Sequence, residues 1–246
     1  MTSTHAVTRF CLLGTFVFFL VAGAAAQELP TPSQPLHAGT ATYVVTIAMG
    51  GQEMQMDVTH TIEDVDEGWR VTETAEGPMG TATDVEVLHH ETLTPVSRTV
   101  TQGAMSIELA FSDSTVEGTI TMQGDEQPVD VHLGGPIFSD GAAANLVLAA
   151  LPLSNGYRAE YATLDLMQQQ RKMMEVEVTG IDTTTVPAGS FETFRAEVSA
   201  VDGGHGGTTL WIDTETRLVV KAVATVPQLN GATLTSELHA SSRLEE

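Results

Sequence analysis

The clearest order in this chain is an alternation of apolar and polar side chains. Across residues 52–63, Met54, Met56, Val58 and Ile62 fall on one side with His60 among them, while Glu53, Gln55, Asp57, Thr59, Thr61 and Glu63 fall on the other. A period of two with one dry and one wet face predicts a half-buried β-strand. A strand over 43–49 precedes it, joined by the tight turn Gly50-Gly51. In 69–76 the alternation puts Trp69, Val71 and Ala75 on the dry side, and Glu73 interrupts that face. Further strands are predicted over 81–88, 95–102, 105–111, 116–122 and 129–133, with Gly, Pro, Asn, Asp or Ser at most junctions. Strands spaced by roughly 8–12 residues predict an antiparallel meander, and one-sided alternation argues against a buried parallel sheet.

The second half repeats the pattern with more legible turns. Residues 156–166 and 171–180 read as strands, and the chain turns at Val186-Pro187-Ala188-Gly189-Ser190-Phe191. Pro187 fixes φ, Gly189 accepts a positive φ, and Phe191 opens the next dry face, so backbone needs alone explain this turn. Phe194, Ala196 and Val198 then share one face. The loop 202–207 leads into Leu210-Trp211-Ile212-Asp213, a return strand over 217–223, and a last strand over 232–240. One segment breaks the rhythm: 141–150 is rich in alanine and leucine, with Asn145 as its only polar side chain. Ser139 or Asp140 can cap a short buried helix there, and Pro152 forces its end.

The expected fold is therefore all-β, a long antiparallel meander curled into an open or closed β-barrel, with one short helix covering an open end or face. Residues 40–246 form a single barrel-like domain, in which sub-sheets 40–135 and 151–246 can flank a helix over 139–151.

The N-terminus changes the compartment. Arg9, the apolar run 10–22 and the small residues Ala24 and Ala26 predict a secretory signal peptide over 1–26, cleaved after Ala26. Cys11 lacks the flanking residues of a lipoprotein signal. A proline-rich extended linker over 27–39 follows. The mature chain has no cysteine, so neither disulfides nor a thiol nucleophile are available. No later segment is apolar and long enough for a spanning helix, so the exported protein is expected in the periplasm or outside the cell and not as an integral membrane protein. Acidic residues number 32 against 10 basic, a formal net charge of −22. That balance excludes nucleic acid and anionic lipid surfaces as electrostatically driven partners. It also resembles the composition of proteins from high-salt habitats.

Candidate chemistry is sparse. His37, His60, His89, His90, His132, His205 and His239 make no helical zinc pair, and Ser190 lacks a nucleophile elbow. Asp64-Val65-Asp66-Glu67-Gly68 lacks the ligand spacing of an EF-hand and reads as a hairpin turn. Asp84/Glu86 and Glu175/Glu177 read as solvated strand faces. No catalytic residue, metal or cofactor is assigned. The softer signal is methionine, with 10 in the chain against 5% aromatics, because methionine suits adaptable apolar surfaces. Met54, Met56, Trp69, Val71, Leu146, Met174 and Trp211 are the residues expected to line an apolar concave face.

Val178-x-Gly180-x-Asp182, Val186-Pro187-Ala188-Gly189-x-Phe191, Leu210-Trp211-x-Asp213 and Val219-Val220-Lys221 together resemble an uncharacterised family of exported bacterial β-proteins, catalogued as a domain of unknown function. In that family a Glu usually stands at the position of Asp182, a conservative departure that leaves the turn intact. Leu151-Pro152-Leu153 followed by Gly156 is similar to the same family's lead-in, so the resemblance covers 151–238. A wider similarity, in shape alone, is to half-barrel carriers of the lipoprotein-localisation type, which hold acyl chains in a curved sheet. The resemblance implies fold and compartment and no chemistry. The leading expectation is a non-enzymatic envelope protein binding a lipid or acyl chain in the concave face. The alternative is a structural or interaction module with a filled core and a protein partner in the envelope. A hydrolase whose residues meet only in three dimensions is the third.

Overall fold

The structure is a computed structural model and describes residues 28–78, 80–203, 206–227 and 231–244. The expected signal peptide with its cleavage site, Cys11 and His205 lie outside these residues. Fourteen strands follow one another: β1 Gly39–Met49, β2 Gln52–Val65, β3 Gly68–Gly77, β4 Gly80–Leu88, β5 Pro95–Gln102, β6 Met105–Phe111, β7 Thr115–Met122, β8 Asp125–His132, then β9 Arg158–Asp165, β10 Gln170–Val186, β11 Gly189–Ala200, β12 Gly207–Asp213, β13 Val219–Val226 and β14 Ala232–Ser241. The helix α1, Ala144–Ala149, lies between β8 and β9.

All fourteen strands belong to one antiparallel sheet, in the order β8 to β1, then β14 to β9. The two meanders join in the middle, where β1 pairs with β14 (Tyr43 opposite Leu238, Val45 opposite Ser236). This places β8 and β9 at the two edges. They do not pair with each other, so the barrel is open. Leu133 and Ile137 of the connecting segment fill the seam, clustering with Val129 and Val131 of β8 and Ala162 and Leu164 of β9. The Phe138 N–H donates to the Ala162 carbonyl at 2.8 Å, satisfying part of the β9 edge.

β9 departs from the one-sided pattern. Tyr161, Ala162, Thr163 and Leu164 are buried in succession, which requires cover on both faces. Tyr161 joins the core around α1, whereas Ala162 and Leu164 join the core beneath β6, β7 and β8. The sheet thus rolls past itself with the β9 edge inside.

Local sequence explains the turns. The β10–β11 hairpin closes on Pro187-Ala188, with Val186 opposite Gly189, as expected. It is longer than the sequence predicted, because a bulge between Val178 and Gly180 bends β10 instead of ending it. Its tip packs on the sheet: Ala188 N–H donates to the Leu238 carbonyl at 3.1 Å, and Val186 and Phe191 cluster with Leu218, Val220 and Leu238.

The acidic stretch Asp64–Gly68 is the β2–β3 hairpin, with Val65 opposite Gly68. Among the described residues, no group of three or more His, Cys, Asp or Glu side chains is placed to hold a metal. Gly68 has φ +148, and a Cβ there would lie 1.9 Å from the Leu88 carbonyl oxygen. Gly68→Ala is therefore expected to cost about 3 kcal/mol through strain and backbone displacement. A urea titration would show a lowered midpoint at constant m-value, and an unchanged midpoint would contradict this.

The helix is shorter than the predicted 141–150 and is not capped by Ser139 or Asp140. Its apolar residues Leu146, Val147, Leu148 and Ala149 are buried at the centre of the main core, so packing rather than propensity holds six residues helical. The proline-rich segment before β1 is extended but docked, with Ser33 N–H donating to the Ala150 carbonyl at 2.8 Å and Leu36 buried in the same core.

Candidate functional site

Strand register brings a set of inward side chains to one place. Tyr43 pairs with Val58 and Val45 with Met56 across β1 and β2, and Val58 pairs with Ala75 across β2 and β3. On the other side Ala222 pairs with Ser236 and Ala224 with Leu234 across β13 and β14. Together with Val219, and with Leu146 and Asn145 of α1, these residues line a partly open chamber of about 320 Å³. Its walls are mostly apolar, and small side chains on β13 leave the space that a larger residue would fill. A more open groove of about 770 Å³ lies elsewhere, among turns and the N-terminal segment (Pro30, Pro32, His90, Thr94). The groove is a surface feature of loops, whereas the chamber is built on strand faces.

One polar pair sits in the chamber wall. His60 and Glu73 are direct cross-strand neighbours, with Nε2 and Oε2 2.7 Å apart. The His60 ring lies 5.2 Å from the Tyr43 ring, tilted by 55°. His60 Nδ1 is buried without a hydrogen-bonding partner among the described residues. Burial raises the Tyr43 hydroxyl pKa well above the usual tyrosine range, so the phenol stays neutral. Thr208 and Ser236 line the same chamber, but neither is hydrogen-bonded to His60. The arrangement offers an apolar space with one polar corner, not an activated nucleophile.

The expected lining residues divide three ways. Met56 and Leu146 line the chamber. Trp69 and Val71 are buried in the core beside α1, Met174 packs against that core, and Met54 is half-buried one inward position beyond Met56. Trp211 is on the opposite face. It alternates with the fully buried Leu210 and Ile212 and stands opposite Lys221, whose ammonium lies 5.8 Å from its ring centroid. It is not among the residues lining the chamber and packs against the cluster that includes Val186, Val220 and Leu238.

The reading of Asp84 and Glu86 as a wet face is also corrected. Glu86 pairs with Val71 and Asp84 with Glu73, so both point inward, and Glu86 is 0% exposed. One oxygen, Oε2, accepts from the Ser139 hydroxyl at 2.5 Å and from the Ala143 N–H at 3.1 Å. Glu86 thus ties the residue preceding the helix to strand β4. Burial pushes the Glu86 carboxyl up to about 7, against the opposing Ser139 hydrogen bond and Arg98 charge. Arg98 bonds Asp84 at 2.8 Å and Asp140 at 3.0 Å, tying the turn before α1 to the sheet. Gly141 passes so close to Arg98 that a Cβ would lie 2.5 Å from its Nε, which explains the glycine.

Other expected sites are ordinary. His89 and His90 lie in an exposed turn, where His90 bonds Asp64 at 2.9 Å and meets the edge of Trp69. Ser190 bonds Thr185 at 2.8 Å on the surface. Glu175 is held by Arg158.

The family model described as "Protein of unknown function (DUF3108)" matches residues 37–235. Among solved structures, the chain is similar to a DUF1329 family protein from Desulfovibrio piger, at 9% identity and TM-score 0.36, covering 82% of this chain and 84% of that one. It is similar to a protein with YmcC-like fold from Bacteroides fragilis, at 10% identity and TM-score 0.32, covering 87% and 100%. It is also similar to a LolA superfamily protein from Nitrosomonas europaea, at 8% identity and TM-score 0.35, covering 83% and 84%. No curated protein matches.

Proposed function

We propose that this chain, which belongs to the DUF3108 family, is an exported envelope protein that binds an apolar chain, a lipid or acyl group, in the chamber between β1–β3 and β12–β14. The observation that carries this reading is the chamber itself. Packed interiors rarely hold voids larger than a water, and ligand cavities run from roughly 300 Å³ upward. The chamber's volume of about 320 Å³ reaches that range, and its mostly apolar walls, partly open to solvent, suit a hydrocarbon occupant. It would accept about ten water-sized groups. Apolar walls such as Val58, Ala222 and Leu234 favour hydrocarbon, and Met56 can adapt its shape to the occupant.

Export rests on the N-terminal pattern 1–26. No helix among the described residues is long and apolar enough to cross a membrane. We read the protein as non-enzymatic: among the described residues His60 is partnered by Glu73 and its Nδ1 by no hydroxyl.

A chain-length series tests it. Each buried methylene contributes about 0.8 kcal/mol, or roughly fourfold in Kd. Calorimetric titration with alkanols of six to fourteen carbons is expected to show that increment up to about ten carbons, the capacity set by the chamber, followed by a plateau. Absence of saturable binding at every length would retire the chamber as a ligand site.

A further inference from the structure

Ten basic side chains serve this chain against 32 acidic ones. Arg98, Arg158, Arg195 and Lys221 each meet a carboxylate. Arg217 makes no such pair among the described residues. It lines a small recess of about 20 Å³ with His37, Arg243, Leu146 and Ala150. Its Nε and Nη1 are buried and have no acceptor among the described residues. The guanidinium lies over the Phe194 ring, 4.9 Å from its centroid. Burial holds its pKa below the usual arginine value, and the charge of nearby Asp213 offsets only part of this. Asp213 Oδ2 is occupied, accepting from the Thr216 N–H at 2.7 Å and hydroxyl at 2.6 Å. Arg243, beside it, donates to the Thr216 carbonyl.

Buried guanidinium donors without an acceptor are costly, and a carboxylate or phosphate oxygen is their natural complement. The recess also adjoins the chamber. Leu146 lines both. Ile62 in the recess is the next inward residue of β2 after His60, and Arg217 stands two residues before Val219 of the chamber.

We propose that the chamber's ligand is a single-chain anionic amphiphile, its head held by Arg217 and its chain lying in the chamber. This rests on the chamber reading above and adds the class of head group. Leu146 is the shared wall, so its side chain must swing aside to join the two spaces. The net charge of −22 repels anionic surfaces at a distance, but that field is screened within about 10 Å in salt, and the recess is lined by the Arg217 guanidinium.

The test compares decanoate with decanol, which share a tail and differ in head, by titration calorimetry on the purified protein at pH 8. The wild type is expected to bind the acid at least tenfold more tightly than the alcohol. Arg217→Gln brings that ratio close to one, while Arg217→Lys, which keeps the charge, retains a clear preference for the acid. Thermal unfolding of both variants separates loss of the head-group site from loss of fold. Equal affinities in the wild type, or an unchanged ratio in Arg217→Gln, overturn the anion inference and leave the chamber reading standing. Failure of both ligands to bind removes the chamber reading, and this inference with it.

Discussion

Ala222→Phe is expected to weaken binding of a ten-carbon chain about a hundredfold while leaving the protein folded. Ala222 faces the chamber from the middle of β13, opposite Leu210 on one side and Ser236 on the other. A phenyl ring there projects into space that the wild type leaves open. If it displaces about four methylenes of the ligand, the loss is about 3 kcal/mol at 0.8 kcal/mol each, which converts to roughly a hundredfold in Kd. Because the ring fills a void instead of overpacking a filled core, the unfolding midpoint should hold or rise. Titration calorimetry beside a urea curve measures both quantities. Unchanged affinity in a folded variant would place the ligand elsewhere.

Glu86→Gln should remove a pH dependence of stability worth about 3 kcal/mol. The folded-state value near 7 stands above the ordinary 4.5. Between those values the folded protein keeps a proton that the unfolded chain releases, so this group makes stability fall as pH rises through the window. A shift of about two and a half units corresponds to about 3 kcal/mol. The loss is complete above about pH 7 and absent below about pH 4.5. Glutamine retains an acceptor for Ser139 and Ala143 but cannot ionise, so the variant should gain on the wild type by that amount between pH 4.5 and 8. Glu86→Ala, by contrast, strands both donors and should cost about 4 kcal/mol below about pH 4.5 but only about 1 kcal/mol above about pH 7, since alanine does not ionise either. Urea unfolding across the pH range distinguishes these outcomes, and parallel curves for wild type and Glu86→Gln would show that Glu86 does not titrate there.

The strands were legible because most of them bury one face. In β2 the inward Met54, Met56, Val58, His60 and Ile62 follow the period of two without a slip. Partner choice was not legible, because alternation assigns a face and not a neighbour. Nothing local states that β1 pairs with β14, or that the β9 edge is rolled inside. Trp211 sits in the run Leu210-Trp211-Ile212, where three apolar residues in succession carry no period, so its face could not be read. Glu86 looked solvated because Asp84 and Glu86 alternate with Val85 and Val87. Its inward partners, Ser139 and Ala143, arrive from more than fifty residues away.

The polar corner did leave a trace. His60 on a dry face and Glu73 interrupting the next dry face are two defects that cancel once β2 and β3 are placed in register. Arg217 left none, because its lack of an ion-pair partner among the described residues exists only in three dimensions. The family resemblance quoted for 151–238 extends across both halves of the sheet, since the family model covers 37–235.

Native mass spectrometry of the protein recovered from the exported fraction, followed by solvent extraction, tests the central claim most directly. The chamber predicts one lipid-sized adduct per chain, lost on extraction and absent from Ala222→Phe. A clean unliganded mass that stays unchanged after incubation with envelope lipids would contradict it.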